Sequence, residues 1–183
     1  MEKSYTLEVA GITRHLPIIP ITEKLSIASF VILGDIELVT AAAPLLAEKL
    51  PEVDVIITAE AKGIPLIHEV SRVLQMKKYY VARKSTKPYM QTPLINEVES
   101  ITTQKKQVLC LDGVDASEIA GKRVAIIDDV ISTGKSLQAI EDLVIQADGI
   151  VVARAAILAE GEAAKRSDIL FLQELPLFPN KIE

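Results

Sequence analysis

Short apolar runs that end in charged or hydroxyl residues alternate along this chain with stretches whose apolar positions recur every three or four residues. The runs at 53–58, 79–84, 108–112, 123–129, 150–158 and 169–172 have the length and composition of strands. Between them the period turns helical. Ile36, Val39, Ala43, Leu46, Ala47 and Leu50 fall on one face and predict a helix over 35–50, closed by Pro51. Pro44 inside that stretch predicts either a kink or a helix that starts there. Further helices are predicted over 65–74 and 137–146, with a short one at 162–166. Strands alternating with helices predict an α/β fold, a mainly parallel sheet with helices on both faces. Ligands of such sheets gather beyond the carboxyl ends of the strands. Two regions fall outside the alternation. Residues 85–107 make a connection far longer than usual and are read as a lid. Residues 1–34 and 173–183, with their prolines and short apolar pieces, are read as a small cap over the sheet.

A chain of 183 residues, 49% hydrophobic and 25% charged, suits one compact domain over 1–183. The single cysteine, Cys110, sits in an apolar run, cannot form an intramolecular disulfide and points to a reducing, cytoplasmic setting. No apolar run approaches the roughly 20 residues that span a bilayer, and the first residues lack the apolar stretch of a secretion signal, so no membrane partner is expected. The formal charge of −5 argues against nucleic acid as a partner. Anionic ligands must then be met by local cations, and Arg83, Lys84 and Lys87 form the densest such group beside an apolar run.

The densest chemistry lies at 124–136, VAIIDDVISTGKS. A buried strand ends in Asp128 and Asp129, and Ser132, Thr133, Gly134, Lys135 and Ser136 follow where the helical period of Leu137, Ile140, Leu143 and Val144 begins. Backbone N–H groups at a helix start lack intrahelical partners and carry the positive end of the dipole, so this turn is an anion cradle. Carboxylates beside such a cradle suit a ligand that carries hydroxyls or a metal as well as a phosphate, and a ribose phosphate meets that demand. Three other readings compete. A Walker A loop would need glycine where Asp129 stands. An acidic pair could bind a metal as in phosphatases or receiver domains. The pair could also simply close a strand while Ser132 caps a helix. His15 and His68 have no partners at nucleophile or metal-ligand spacing.

These thirteen residues closely resemble the phosphoribosyl-pyrophosphate (PRPP) motif of the type I phosphoribosyltransferases, and over most of the chain the resemblance is to the adenine phosphoribosyltransferase branch. It implies a parallel-sheet core with helices on both faces, a small hood and a flexible lid loop. It implies PRPP contacts at Ser132, Thr133, Gly134, Lys135 and Ser136, and at the loop Glu60-Ala61-Lys62-Gly63, where Lys62 replaces the arginine usual in that branch and loses its planar fork. Arg83, Lys84 and Lys87 would contact pyrophosphate, Asp128 and Asp129 would face the ribose, Glu99 in the lid would take a proton from the base, and Arg14 would contact the base. The implied reaction joins a purine, adenine first, to ribose 5-phosphate with loss of pyrophosphate, assisted by Mg2+ held mainly through PRPP, in a homodimer. Xanthine, hypoxanthine, guanine or orotate as acceptor, and a non-catalytic PRPP-sensing regulator, are the alternatives.

Overall fold

The computed structural model describes residues 4–98 and 107–180. Strands β1 (Ser4–Val9) and β2 (Ile12–Pro20) form a hairpin whose turn, Ala10-Gly11, has φ of 53° and 73°, the left-handed pair that matches strand twist in a two-residue turn. Strand β3 (Leu25–Ala28) extends it, and the chain then enters α1 (Ile36–Lys49). Asp35 caps α1, its carboxylate accepting from Leu38 N at 3.1 Å. The helix runs unbroken from Ile36 through Pro44, which lies on its exposed face, so it does not begin at the proline.

The core follows. β4 (Val55–Ala59), α2 (Gly63–Val73) and β5 (Tyr80–Ala82) lead to a hairpin of β6 (Leu94–Val98) and β7 (Gln107–Leu111), and then to α3 (Gly113–Ile119). β8 (Arg123–Ile131), α4 (Lys135–Gln146), β9 (Ile150–Glu160), a 3-10 turn (Gly161–Lys165) and β10 (Leu170–Leu175) complete it. Five strands pair in parallel in the order β10-β9-β8-β4-β5. Along β8 side chains alternate between faces: Ala125 and Ile127 pack with α1 and α2, while Val124 and Ile126 pack with α3 and α4. This is the α/β sheet with two helical layers that the apolar periodicity implies.

The final strand β11 (Leu177–Pro179) crosses to pair antiparallel with β3, giving a second, four-stranded sheet β1-β2-β3-β11. Ser26 Oγ donates to Asn180 Oδ1 at 2.6 Å and fastens that end. Leu7, Val9 and Leu16 of this hood sheet share one apolar cluster with α1, α2 and Leu158 of the core, so the hood is packed onto the sheet. Residues 173–175 belong to β10 of the core sheet rather than to the hood sheet.

The run at 108–112 departs from the parallel pattern. It pairs antiparallel with β6 in a separate two-stranded sheet, joined to the end of β5 by reciprocal 2.8 Å bonds between the backbones of Arg83 and Cys110. Asn96 anchors this hairpin on α4, donating to Ala139 O at 3.2 Å and Asp142 Oδ2 at 3.0 Å. Among the described residues no helix is long and apolar enough to cross a membrane.

Candidate active site

β5, β4 and β8 are consecutive in the sheet, so the loops leaving their carboxyl ends lie side by side. The first loop, after β4, holds Glu60, Ala61, Lys62 and Gly63. Glu60 accepts from Arg83 Nε at 2.8 Å and from Lys84 N at 3.1 Å, which couples it to the loop after β5. These two contacts, the guanidinium first, hold the Glu60 carboxyl below its usual range, and Lys87 adds to the effect from nearby. Arg83 Nη1 also donates to the Tyr89 hydroxyl at 3.0 Å, and Lys87 Nζ donates to Ser85 Oγ at 2.7 Å. Of the cationic group expected from the sequence, Arg83 thus meets Glu60 with its side chain and Lys84 with its backbone, while Lys87 acts on it only from nearby.

Gly63 opens α2 against the floor of the site. A Cβ there would stand 2.0 Å from Thr58 Oγ1 and 3.1 Å from Asp128 Oδ1, so only glycine allows the helix to approach so closely. Thr58 is fully buried and its hydroxyl oxygen has no hydrogen-bond partner.

At the end of β8, Asp128 Oδ1 accepts from Asp129 N at 2.9 Å. Asp129 is only 3% exposed; its Oδ2 lies 3.0 Å from Lys62 Nζ but makes no well-directed hydrogen bond. Burial, and then the charge of Asp129, push the Asp128 carboxyl up to about 8. Two adjacent carboxylates with unmet acceptor capacity are poised for hydroxyl donors or a cation. Among the described residues no group of three or more His, Cys, Asp or Glu side chains forms a ready cage for a metal. The donor set instead fits Mg2+, which is commonly bound through one or two carboxylates plus substrate oxygens.

Beyond the pair, Ser132 and Thr133 lead to Gly134, whose φ of 77° places it in the left-handed region at the N-cap of α4. No side chain caps this helix, so its first N–H groups, at Lys135 and Ser136, are free for an anion. Asp128, Ser132, Thr133, Gly134, Lys135 and Ser136 line a hollow of about 70 Å³. The structure therefore brings together the β4, β5 and β8 loops that the sequence singles out.

Arg14 is placed elsewhere. On β2 it holds Asp35 through 2.8 and 2.9 Å bonds and Glu37 through a 2.7 Å bond, tying the hood to the start of α1, and none of its hydrogen bonds reaches the three loops. Glu99 lies outside the described residues. Sequence reasoning passes over Glu160, a half-buried carboxyl at the end of β9 that burial pushes up against the opposing influence of Lys62. The rule that ligands collect at strand ends could have found it, since it closes a fourth parallel strand.

A phosphoribosyl transferase domain model matches residues 36–180. The chain belongs to that family. The fold is that of the type I phosphoribosyltransferases, and it is similar to solved adenine phosphoribosyltransferases. One is from Thermoanaerobacter pseudethanolicus (TM-score 0.72, 21% identity, 87% of this chain and 95% of that one). Another is from Rhodothermus marinus (TM-score 0.66, 23% identity, 94% of both chains). Sequence relatives carry other names. A xanthine phosphoribosyltransferase of Chloroflexus aurantiacus is 33% identical over 76% of this chain and 61% of its own length. A hypoxanthine/guanine phosphoribosyltransferase of Methanotorris igneus is 32% identical over 62% and 57%. Among these curated relatives the matches span about three fifths of their length. The matched stretch starts with α1, and the hairpin β1–β2 and strand β3 precede it.

Proposed function

We propose that this phosphoribosyltransferase moves the 5-phosphoribosyl group of PRPP onto a ring nitrogen of a purine, releasing pyrophosphate. The observation that carries the reading is the juxtaposition of Asp128 and Asp129 with the uncapped start of α4 on one side and the Lys62 and Arg83 loops on the other. The α4 cradle takes the terminal phosphate on backbone N–H groups and the Ser132, Thr133 and Ser136 hydroxyls. Asp128 and Asp129 accept from the ribose hydroxyls and favour the positive charge that develops on the sugar. Lys62 leaves Asp129 for the pyrophosphate, which frees the Asp129 oxygen for the sugar, and Arg83, Lys84 and Lys87 stabilise the departing charge. Mg2+ would be held mainly through PRPP, with Asp128 and Asp129 as the nearby carboxylates that fit it, and would supply further positive charge to the leaving group. Glu99 is the proposed proton acceptor and residues 85–107 the proposed cover that keeps water from the activated ribose.

Because pyrophosphate is assigned to the β4 and β5 side, in-line attack would bring the base from the opposite, β9 side. Adenine is the first acceptor proposed, with a 6-oxopurine as the second reading on the strength of the sequence relatives. Incubation with Mg2+, PRPP and each base in turn, followed by measurement of nucleotide and pyrophosphate, tests it. A nucleotide formed from one purine is expected. PRPP binding without turnover of any base would replace the transferase by a PRPP sensor, and no PRPP binding would overturn both.

A further inference from the structure

Arg166 follows the 3-10 turn after β9, far along the chain from the phosphate cradle, yet its guanidinium is folded against it. Asp168 grips the fork: Nε donates to Oδ1 at 2.9 Å and Nη2 to Oδ2 at 2.7 Å. Asp168 is itself steadied by Arg154, whose Nε stands 3.9 Å away and which is bonded to Glu141 of α4. With two nitrogens so engaged, the third is turned toward Gly134. Nη1 lies 2.8 Å from where a Cβ on Gly134 would stand, and among the described residues it has no hydrogen-bond partner. Gly134 is required for its φ of 77°, and a side chain there would also have to push this nitrogen aside.

An arginine whose fork is fixed by a carboxylate, with one donor nitrogen left unused at the lip of an anion cradle, is preorganised for a phosphate oxygen. We propose that Arg166 Nη1 is a ligand of the terminal phosphate of PRPP, and that Asp168 is the positioning residue that aims it. The assignment rests on the reading of the 132–136 turn as the phosphate site. It adds a guanidinium donor from beyond β9, its charge partly offset by Asp168, to a cradle otherwise made of backbone dipoles, hydroxyls and Lys135. Because Asp168 keeps its grip on Nε and Nη2, binding needs no exchange of partners.

The test compares ribose 5-phosphate with pyrophosphate on the intact chain. Arg166→Gln is expected to weaken ribose 5-phosphate binding, measured calorimetrically, and to raise KM for PRPP by about tenfold or more, the loss of one charge-assisted hydrogen bond, with kcat changed far less. Inhibition by pyrophosphate and KM for the base should stay at wild-type values. Arg166→Lys should recover part of the affinity and Asp168→Asn should lose part of it, with thermal unfolding confirming that each variant is folded. Wild-type affinity for ribose 5-phosphate in Arg166→Gln, or equal loss toward pyrophosphate, would overturn the assignment while leaving the transferase reading intact. A wild-type protein that binds neither ribose 5-phosphate nor PRPP would overturn both.

Discussion

Asp128→Asn is expected to make the unliganded protein more stable while damaging its activity. The side chain keeps an oxygen that can accept from Asp129 N, now 2.9 Å from Oδ1, so the local backbone geometry is retained. What disappears is a carboxyl that burial and the adjacent Asp129 drive from 3.8 to about 8. At about 1.36 kcal/mol per pH unit, a shift of that size has a ceiling on the order of 5 kcal/mol at alkaline pH. Asp129 shares the cost and water relaxes around the pair, so the expected gain is about 2 kcal/mol, or about 4–8 °C in Tm for a chain of this size. The sign follows from the raised value. Asp128 contributes stability below its unfolded pKa, near 3.8, and loses it as pH rises through about 8, where the folded protein must ionise it. Thermal unfolding in Mg2+-free buffer at pH 4.5, 6.5 and 8.5 should therefore show the variant and the parent converging in acid and diverging in alkali. Turnover should fall by about a hundredfold or more if the group faces the ribose. A Tm difference independent of pH, or a variant less stable at pH 8.5, would refute the electrostatic account of the pair.

Lys62→Met removes the cation 3.0 Å from Asp129 Oδ2; pyrophosphate inhibition and kcat/KM for PRPP should weaken by about tenfold to a hundredfold, and unchanged pyrophosphate affinity would separate Lys62 from the leaving group. Gly63→Ala sets a methyl 2.0 Å from Thr58 Oγ1 and should cost about 1–3 kcal/mol in denaturant unfolding, part of which Thr58→Ala in the same chain restores; additive losses would contradict the close contact. Glu60 is held below its usual range by Arg83, so it contributes stability above its unfolded pKa and loses it as pH falls. Glu60→Gln should accordingly cost about 0.5–1 kcal/mol at pH 7 and nothing at acid pH, and an equal cost at both would place the role of Glu60 in packing.

The parts of this molecule that could be read from its sequence are those dictated by local periodicity. The apolar run at 124–127 must be a buried strand, and the change of period after Gly134 must be a helix start, so the carboxylate pair and the cradle could be placed before any coordinates. Asp35 stands where a helix cap belongs and acts as one. The apolar run of β7 was legible as a strand, but its partner β6 and the helix α3 were not, because LINEV and GVDASEI are too short and too polar for either period to emerge. Contacts between distant segments leave still less trace. Nothing local marks Lys62 as the partner of Asp129, Arg14 as the clasp between hood and α1, or Arg166 as the neighbour of Gly134; each depends on the order of strands in the sheet and on how the hood lies over them.

The most direct test is a crystal structure with Mg2+ and PRPP bound. The account predicts the terminal phosphate on the backbone N–H groups of residues 133–136, the ribose hydroxyls against Asp128 and Asp129, and the pyrophosphate beside Lys62 and Arg83. Density for PRPP in any other orientation, with its pyrophosphate in the α4 cradle or its ribose away from the aspartates, would contradict it.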